Sequence, residues 1–274
     1  MRTLWPLSAA LLCLLLPRIA EALELPELAE RSKASVVLIS VYDGAGKRFA
    51  TGTGFFISDT GRVVTNVHVI EDARRATVTL AGGQVVGIAG VLAQDASDDL
   101  AVLQTTAAGP YPALSLGDSS ALLAGDEIVV IGSPMGLAGT LSTGIVAAVR
   151  DRSPAGGEPG TGAALLDSWR IQITAPVSHG SSGSPILTRR DGLVVAVAVG
   201  INEGGQNLNF GIPVDRLRSL LRGLGEHPVA RPFAGADARS PLPQNLGISA
   251  AVFALLGLSY GLWQRRGARA RAGA

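Results

Sequence analysis

The stretch VSHGSSGSPIL, residues 177–187, places glycine and serine beside one histidine and then becomes apolar. Such a segment fits either a flexible linker or the loop of a nucleophilic serine. A linker needs nothing else from the chain, whereas a nucleophilic serine needs a base, a group that orients the base and a rigid frame. The rest of the sequence therefore decides between the two interpretations.

Composition and charge set the first limits. The chain has 274 residues, 47% of them hydrophobic, with a formal net charge of +1. Such a chain can bury a sizeable core and is not disordered by composition. Because only 16% of the residues are charged, no long-range field favours nucleic acid, and no nucleic-acid partner is expected.

The first 22 residues have the layout of a secretory signal peptide. Arg2 supplies the positive start, LWPLSAALLCLLL the apolar run, and Ala20 to Ala22 a small-x-small cleavage site. An uncleaved anchor is the alternative, although the run is short for a membrane span. The one cysteine, Cys13, lies in this segment, so the mature protein is expected to lack disulfides. We predict export to a bacterial cell envelope.

The other end of the chain is predicted to cross a membrane once. Residues 226–245 are rich in proline and alanine, which indicates an extended tether. Residues 246–263 are uncharged and long enough for a transmembrane helix, and residues 264–274 form an arginine-rich tail. The positive-inside rule places this tail in the cytoplasm and the preceding chain outside, on the periplasmic or extracellular side. A buried core helix and a cleavable sorting signal are the alternatives.

Between the ends, short apolar runs alternate with Gly, Pro, Asn and Asp, which predicts an all-β domain, a sandwich or a barrel. Helical patterns are confined to LPELAERS near the start and PVDRLRSLLRGL near the end. The predicted strands are SVVLISVY, GTGFFIS, RVVTNVHVI, ATVTL, LAVLQT, EIVVIG, TGIVAAV, WRIQIT, SPILT and LVVAVAVGI.

Few residues can act as the base that a serine nucleophile needs. The chain has 3 histidines; His227 lies in the predicted tether, and His68 lies in the strand-like run VVTNVHVI. Asp99, directly before LAVLQT, is the candidate that orients the histidine. Asp95 and Asp98 are its competitors, and Asp99 is favoured because the start of the strand fixes its direction.

Ser182 is the candidate nucleophile. A serine hydroxyl becomes reactive when an imidazole takes its proton, and a carboxylate holds that imidazole in the correct tautomer. Gly180 permits a tight backbone that directs its own N–H and the N–H of Ser182 at one developing oxyanion. The pattern of His68, Asp99 and Ser182 therefore predicts a catalytic triad.

Six motifs occur in order along the chain: GTGFFIS, VVTNVHVI, DLAVL, LSTGIVAAV, GSSGSPIL and NFGIPVDRL. Together they resemble the HtrA/Deg-like branch of the trypsin-like serine proteases, over about residues 27–222. The resemblance implies two antiparallel six-stranded β-barrels of the chymotrypsin type, at about residues 31–120 and 121–222, within a protease domain of residues 23–225. The order His, Asp, Ser is that of the chymotrypsin-type triad.

The resemblance also implies roles for individual residues. His68 and Asp99 would come from the first barrel and Ser182 from the second, with Gly180 and Ser182 forming the oxyanion hole. Thr53 and Gly54 would belong to the strand pair beside the histidine. Protein or peptide substrates are implied, a homotrimer is a candidate assembly, and no cofactor or metal is expected.

The sequence departs from the family pattern at several points. Most HtrA proteins continue into a PDZ module, whereas here the protease-like region is followed by the predicted tether. Ser181 and Ser184 stand where Asn or Asp and Gly are common; both are small, and the loop geometry is expected to survive. His179 replaces a frequent proline, and it either lines the cleft or is an exposed loop residue without a role.

The segments around the nucleophile predict an apolar specificity pocket. Without a carboxylate at its base, such a pocket rejects Arg and Lys, and Glu203 in NEGGQN is expected to face water. We predict a serine endopeptidase that cleaves unfolded or exposed protein segments after small or medium aliphatic residues. The alternative is a protease-like fold that acts as a binding or assembly protein. The candidate substrate-binding residues are Thr174, His179, Val197, Ala198 and Val199.

Overall fold

The computed structural model of the chain describes residues 24–133, 139–150, 170–199, 209–225 and 228–234. The predicted signal peptide, transmembrane helix and arginine-rich tail lie outside these residues, as do Glu203 and His227. Among the described residues, no helix has the length and apolar character that crossing a membrane requires.

Six strands form a first closed antiparallel barrel in the order β1-β2-β3-β6-β5-β4. Valine, isoleucine and leucine suit a pleated, half-buried surface, and Ile39, Val63 and Leu103 have no exposed surface in its core. Each such side chain stabilises the fold by about 1.5–3 kcal/mol on burial. The strands are β1 (Val36–Tyr42), β2 (Arg48–Phe56), β3 (Arg62–Thr65), β4 (Arg75–Thr79), β5 (Val85–Asp95) and β6 (Leu100–Thr105).

Six further strands form a second closed antiparallel barrel in the order β10-β11-β12-β9-β8-β7. Its interior is filled by branched side chains such as Ile128, Ile173 and Ile186. The strands are β7 (Glu127–Gly132), β8 (Thr140–Arg150), β9 (Arg170–Ile173), β10 (Pro185–Thr188), β11 (Val194–Val199) and β12 (Asn209–Pro213). The predicted fold of two six-stranded β-barrels is therefore confirmed.

A third apolar cluster joins the two barrels. It contains Phe55 and Val64 of the first barrel together with Ile131 and Val197 of the second. The helix α1 (Leu25–Lys33) and the helix α2 (Val214–Arg222) each add a buried leucine to this cluster. This cluster therefore packs the two barrels against each other.

The sequence patterns missed two strands. β5 contains Gly87 and Gly90, and its register with β6 shifts around Gly90, so the regular alternation of a half-buried strand is broken. β12 is a short segment inside NFGIPVDRL. The predicted strand RVVTNVHVI is shorter than expected: β3 ends at Thr65, and a turn follows.

Part of the predicted tether packs on the first barrel. Arg231 forms an antiparallel bridge with Val91 of β5, with both N···O distances at 2.8 Å. Phe233 is buried in the core of this barrel, and a Cβ on Gly90 would lie 2.2 Å from the Arg231 carbonyl oxygen. Residues 228–234 are therefore part of the folded domain.

Candidate active site

His68 and Asp99 come together in two neighbouring turns of the first barrel. His68 follows β3 and Asp99 precedes β6, and β3 pairs with β6. The His68 Nδ1 atom lies 2.7 Å from Asp99 Oδ2, and the backbone N–H of His68 donates to Asp99 Oδ1 at 3.0 Å. The histidine side chain is 42% exposed and the aspartate side chain 21%. The carboxylate thus fixes the imidazole while leaving the ring accessible.

Asp99 has an unusual backbone conformation that its neighbours stabilise. Its φ is 58°, in the left-handed region that is costly for residues other than glycine. Its carbonyl oxygen accepts hydrogen bonds from Asn66 Nδ2 at 2.9 Å and from Val67 N at 3.4 Å. These contacts direct the Asp99 side chain toward His68.

The two competing aspartates have other partners. Asp95 Oδ1 accepts hydrogen bonds from Ser97 N, Ser97 Oγ and Asp98 N, and so closes the turn that leads to Asp99. The Ser97 side-chain hydrogen bond is the main cause that lowers the pKa of Asp95 below its ordinary value. Asp98 lies 3.9 Å from the Arg216 Nε atom of α2. Of the three carboxylates, only Asp99 is bonded to His68 in the described residues.

Sequence reasoning missed a buried arginine behind this pair. Arg170, the first residue of β9, is 7% exposed. Burial lowers its pKa, whereas the charges of Asp98 and Asp99 act to raise it. Because a buried guanidinium stays protonated and needs compensating charge, the arginine in the apolar run WRIQIT was the signal that an acidic cluster lies nearby.

The Ser182 loop consists of two successive turns with glycine at matching positions. Ser181 N donates to Ser178 O at 2.9 Å, and Ser184 N donates to Ser181 O at 3.0 Å. Gly180 and Gly183 are the third residues of these turns, with φ of 88° and 86°, the conformation that a type II turn requires there. Ser182 follows directly as the second residue of the second turn.

Close packing fixes this loop further. A Cβ on Gly183 would lie 2.1 Å from the Thr53 carbonyl oxygen, so only glycine fits. Ser184, which stands where the family commonly has glycine, is fully buried. Space for its hydroxyl comes from Gly132, where a Cβ would lie 2.4 Å from Ser184 Oγ.

Strand β2 connects this loop to the first barrel. Thr53 N donates to Ser182 O at 2.9 Å, and Thr53 Oγ1 donates to Gly180 O at 2.7 Å. β2 also pairs with β3, which leads into the His68 turn. The positions of the Ser182 loop and of the His68 turn therefore both depend on β2. The hydrogen bond from the Thr53 side chain was not predicted from the sequence.

The candidate substrate-binding residues fall into two groups. Thr174 and His179 are exposed and Val199 is half-buried, whereas Val197 and Ala198 have no exposed surface. The backbone of Ala198 is bonded to the nucleophile loop, through Gly183 N at 2.9 Å and Ser184 O at 2.8 Å. Any substrate contact at Val197 or Ala198 would therefore need a change in their packing.

The fold agrees with the family comparisons. Residues 52–197 match the family model described as a trypsin-like peptidase domain, which covers more than half of the 274 residues. The chain therefore belongs to the trypsin-like peptidase family.

Its relatives include HtrA and Deg proteins, and the predicted resemblance is confirmed. The chain is 33% identical over 201 residues to "Serine protease HTRA2, mitochondrial" of Bos taurus, with coverage of 71% of this chain and 42% of that relative. It is 35% identical over 214 residues to "Probable periplasmic serine endoprotease DegP-like" of Bartonella henselae, with coverage of 76% and 40%. The chain thus spans less than half the length of these relatives.

A solved structure supports the fold alone. The HtrA-type protease AlgW with a tripeptide has a TM-score of 0.64 and 24% sequence identity to this chain. The alignment covers 75% of this chain and 64% of that structure.

Proposed function

We propose that the chain is a serine endopeptidase with Ser182 as nucleophile, His68 as general base and Asp99 as the residue that orients His68. The observation that carries this proposal is the double hydrogen bond of Asp99 to the ring and backbone of His68. A carboxylate that holds both groups restricts the ring to one orientation and one tautomer.

The reaction would proceed by acyl transfer. Ser182 Oγ attacks the carbonyl carbon of the substrate while His68 takes the hydroxyl proton, and the peptide C–N bond breaks as His68 returns that proton to the leaving amine. Water then attacks the acyl-serine, with His68 again acting as base, and releases the acid product. The N–H groups of Gly180 and Ser182 would stabilise the oxyanion in both halves of the reaction.

Fluorophosphonate labelling and casein hydrolysis test this proposal on the full-length chain. We expect wild type to react and Ser182→Ala to lose labelling and nearly all hydrolysis, with an unchanged circular dichroism spectrum. Ser178→Ala is the matched control, because Ser178 is an exposed serine of the same loop, and it should stay active. An unreactive wild-type protein would instead favour the binding or assembly alternative.

The proposed substrates are unfolded or exposed protein segments, cleaved after small or medium aliphatic residues. Val199 is half-buried and Thr174 and His179 are exposed, so these three predicted residues are accessible to a substrate. One methylene changes rates by only about tenfold to two-hundredfold, so the preference should be broad. A peptide-library profile dominated by Arg or Lys would contradict it.

The proposed location is the bacterial cell envelope, with residues 246–263 as a single membrane anchor. The name of the Bartonella relative, a periplasmic endoprotease, supports the envelope, and the positive-inside rule supports the orientation. Protease digestion of spheroplasts should degrade the domain and spare the arginine-rich tail. Analytical ultracentrifugation would test the homotrimer, which remains a prediction.

A further inference from the structure

Every polar group of Thr53 in β2 is hydrogen-bonded, and two of these groups bond to the Ser182 loop. Its side chain is fully buried. Its backbone N–H donates to Ser182 O at 2.9 Å, and its hydroxyl donates to Gly180 O at 2.7 Å. The same hydroxyl accepts from Ser133 N at 2.9 Å, and the Thr53 carbonyl accepts from Thr65 Oγ1 at 2.8 Å.

The two bonds to the loop lie on either side of the Ser182 N–H. Gly180 O belongs to the peptide plane before Ser181, and Ser182 O belongs to the plane after Ser182. Because peptide groups are planar, fixing these two carbonyls limits rotation of the plane between them, which carries the Ser182 N–H. One residue of the first barrel thus holds the peptide groups on either side of the one that carries the Ser182 N–H.

Glycine makes this external support necessary. Gly180 has a φ of 88°, and a residue without Cβ reaches several other conformations at little cost. The turns within the loop do not bind the Gly180 carbonyl, whereas the Thr53 hydroxyl bonds to it directly. The Gly180 carbonyl and the Ser181 N–H share one peptide plane, which the bond from Ser181 N to Ser178 O also holds. Losing the Thr53 donor would leave this plane fixed at one end only, so the Ser182 N–H in the next plane would be directed less firmly at the oxyanion site.

We propose that Thr53 is a positioning residue that keeps the oxyanion hole formed by holding the Gly180 carbonyl through its hydroxyl. This inference rests on the proposed function, since it assigns a role within the same site. Its chemical requirement is a hydroxyl donor at position 53, which serine satisfies and valine, of nearly the same shape, does not.

Three variants of the full-length chain test this role. Thr53→Val removes the hydroxyl, Thr53→Ser retains it, and Thr77→Val makes the same change at another buried threonine of the first barrel, whose hydroxyl has no hydrogen-bond partner in the described residues. For Thr53→Val we expect kcat on a peptide substrate to fall about tenfold to hundredfold, with KM changed less than about threefold. Thr53→Ser should recover kcat to within about threefold, and Thr77→Val should match wild type.

A second measurement does not depend on catalysis. In a Ser182→Ala background, we expect Thr53→Val to accelerate amide hydrogen exchange at Gly183 and Ser184 about tenfold or more, and Thr77→Val to leave it unchanged. If wild type fails to react with fluorophosphonate, the proposed function is wrong, while the exchange result still decides whether Thr53 holds the loop. The inference is overturned if Thr53→Val leaves exchange unchanged, keeps kcat near wild type, or loses no more activity than Thr53→Ser.

Discussion

The two halves of the candidate site are held in different ways. The His68 half depends on side chains: Asp99 binds the ring and backbone of His68, and Asn66 binds the Asp99 carbonyl. The Ser182 half depends on the backbone: two turns with Gly180 and Gly183 in the left-handed region set its path. Changes of side-chain chemistry should therefore damage the first half most. Changes of backbone freedom should damage the second half most, where the Thr53 hydroxyl is the side-chain support of the loop.

The largest expected effect comes from replacing one carboxylate oxygen of Asp99, in the His68 half of the site. Asp99→Asn preserves the shape and still accepts the His68 N–H, but it favours the wrong imidazole tautomer, so kcat should fall about ten-thousandfold, as in the general triad template. Thermal unfolding should stay within a few degrees of wild type. Steady-state kinetics and calorimetry measure the two quantities.

Asp98→Asn is the matched control for that change. Asp98 pairs with Arg216 at 3.9 Å and has no bond to His68 in the described residues, so this variant should keep kcat within about threefold. Its side chain is only 15% exposed and its charge acts on the buried Arg170, so the variant should lower stability. Equal losses in both variants would mean that the turn as a whole, and not the Asp99 carboxylate, sets activity.

The next largest effect should come from adding one methyl group at Gly183, in the Ser182 half of the site. Gly183→Ala forces a left-handed alanine and places Cβ 2.1 Å from the Thr53 carbonyl oxygen. The loop must move away from β2, and we expect kcat/KM to fall about a hundredfold and unfolding free energy to fall by about 2–4 kcal/mol. Urea unfolding and peptide hydrolysis test this.

Gly83→Ala separates backbone strain from collision. Gly83 has a φ of 83°, and its added Cβ would contact nothing within 4 Å. It should cost about 1 kcal/mol and leave kcat/KM unchanged. If Gly83→Ala lost as much stability as Gly183→Ala, strain alone would explain the loss, and the contact with Thr53 would be irrelevant.

The same contrast explains what the sequence could predict. The Gly and Ser pattern around Ser182 has a local cause, the conformation of two tight turns. The pattern alone also fitted a linker, and the candidates His68 and Asp99 elsewhere in the chain decided for a nucleophile loop. Asp99 could be preferred over Asp95 and Asp98 because of its place before a strand. The resemblance of the six motifs to the protease family then predicted both barrels. Strand β5 was missed because its glycines and shifted register interrupt the alternation of apolar and polar residues.

Other features depend on contacts that no local pattern carries. The bond from Thr53 to Gly180 joins residues 127 positions apart, and Phe233 enters the first barrel from a segment whose composition indicated only a tether. His68 was placed in a strand, whereas it lies in the turn beyond Thr65. There Asn66, which bonds to the distant Asp99 carbonyl, ends the strand.

The smallest expected effect tests whether the Asp95 side chain supports the turn that leads to Asp99 in the His68 half of the site. Asp95→Ala removes three hydrogen bonds to Asp95 Oδ1, those from Ser97 N, Ser97 Oγ and Asp98 N. Because this carboxylate is partly exposed, we expect a loss of only about 0.5–1 kcal/mol in unfolding free energy at neutral pH. The turn before Asp99 should loosen as well, and kcat should fall about twofold to fivefold.

The pH dependence of this loss has a definite sign. The pKa of Asp95 in the folded protein is lowered from 3.8, chiefly by the Ser97 hydroxyl, so the folded state binds the proton less readily than the unfolded state. The stabilisation is therefore complete above about pH 4–5 and disappears as pH falls below 3.8 through the folded pKa. Urea unfolding of wild type and Asp95→Ala should give the same unfolding free energy in acid.

Asp43→Ala is the matched control for Asp95→Ala, because it removes a similar carboxylate from the β1–β2 turn. It should lower stability without lowering kcat. An equal loss of kcat would show that the Asp95 turn has no special link to Asp99.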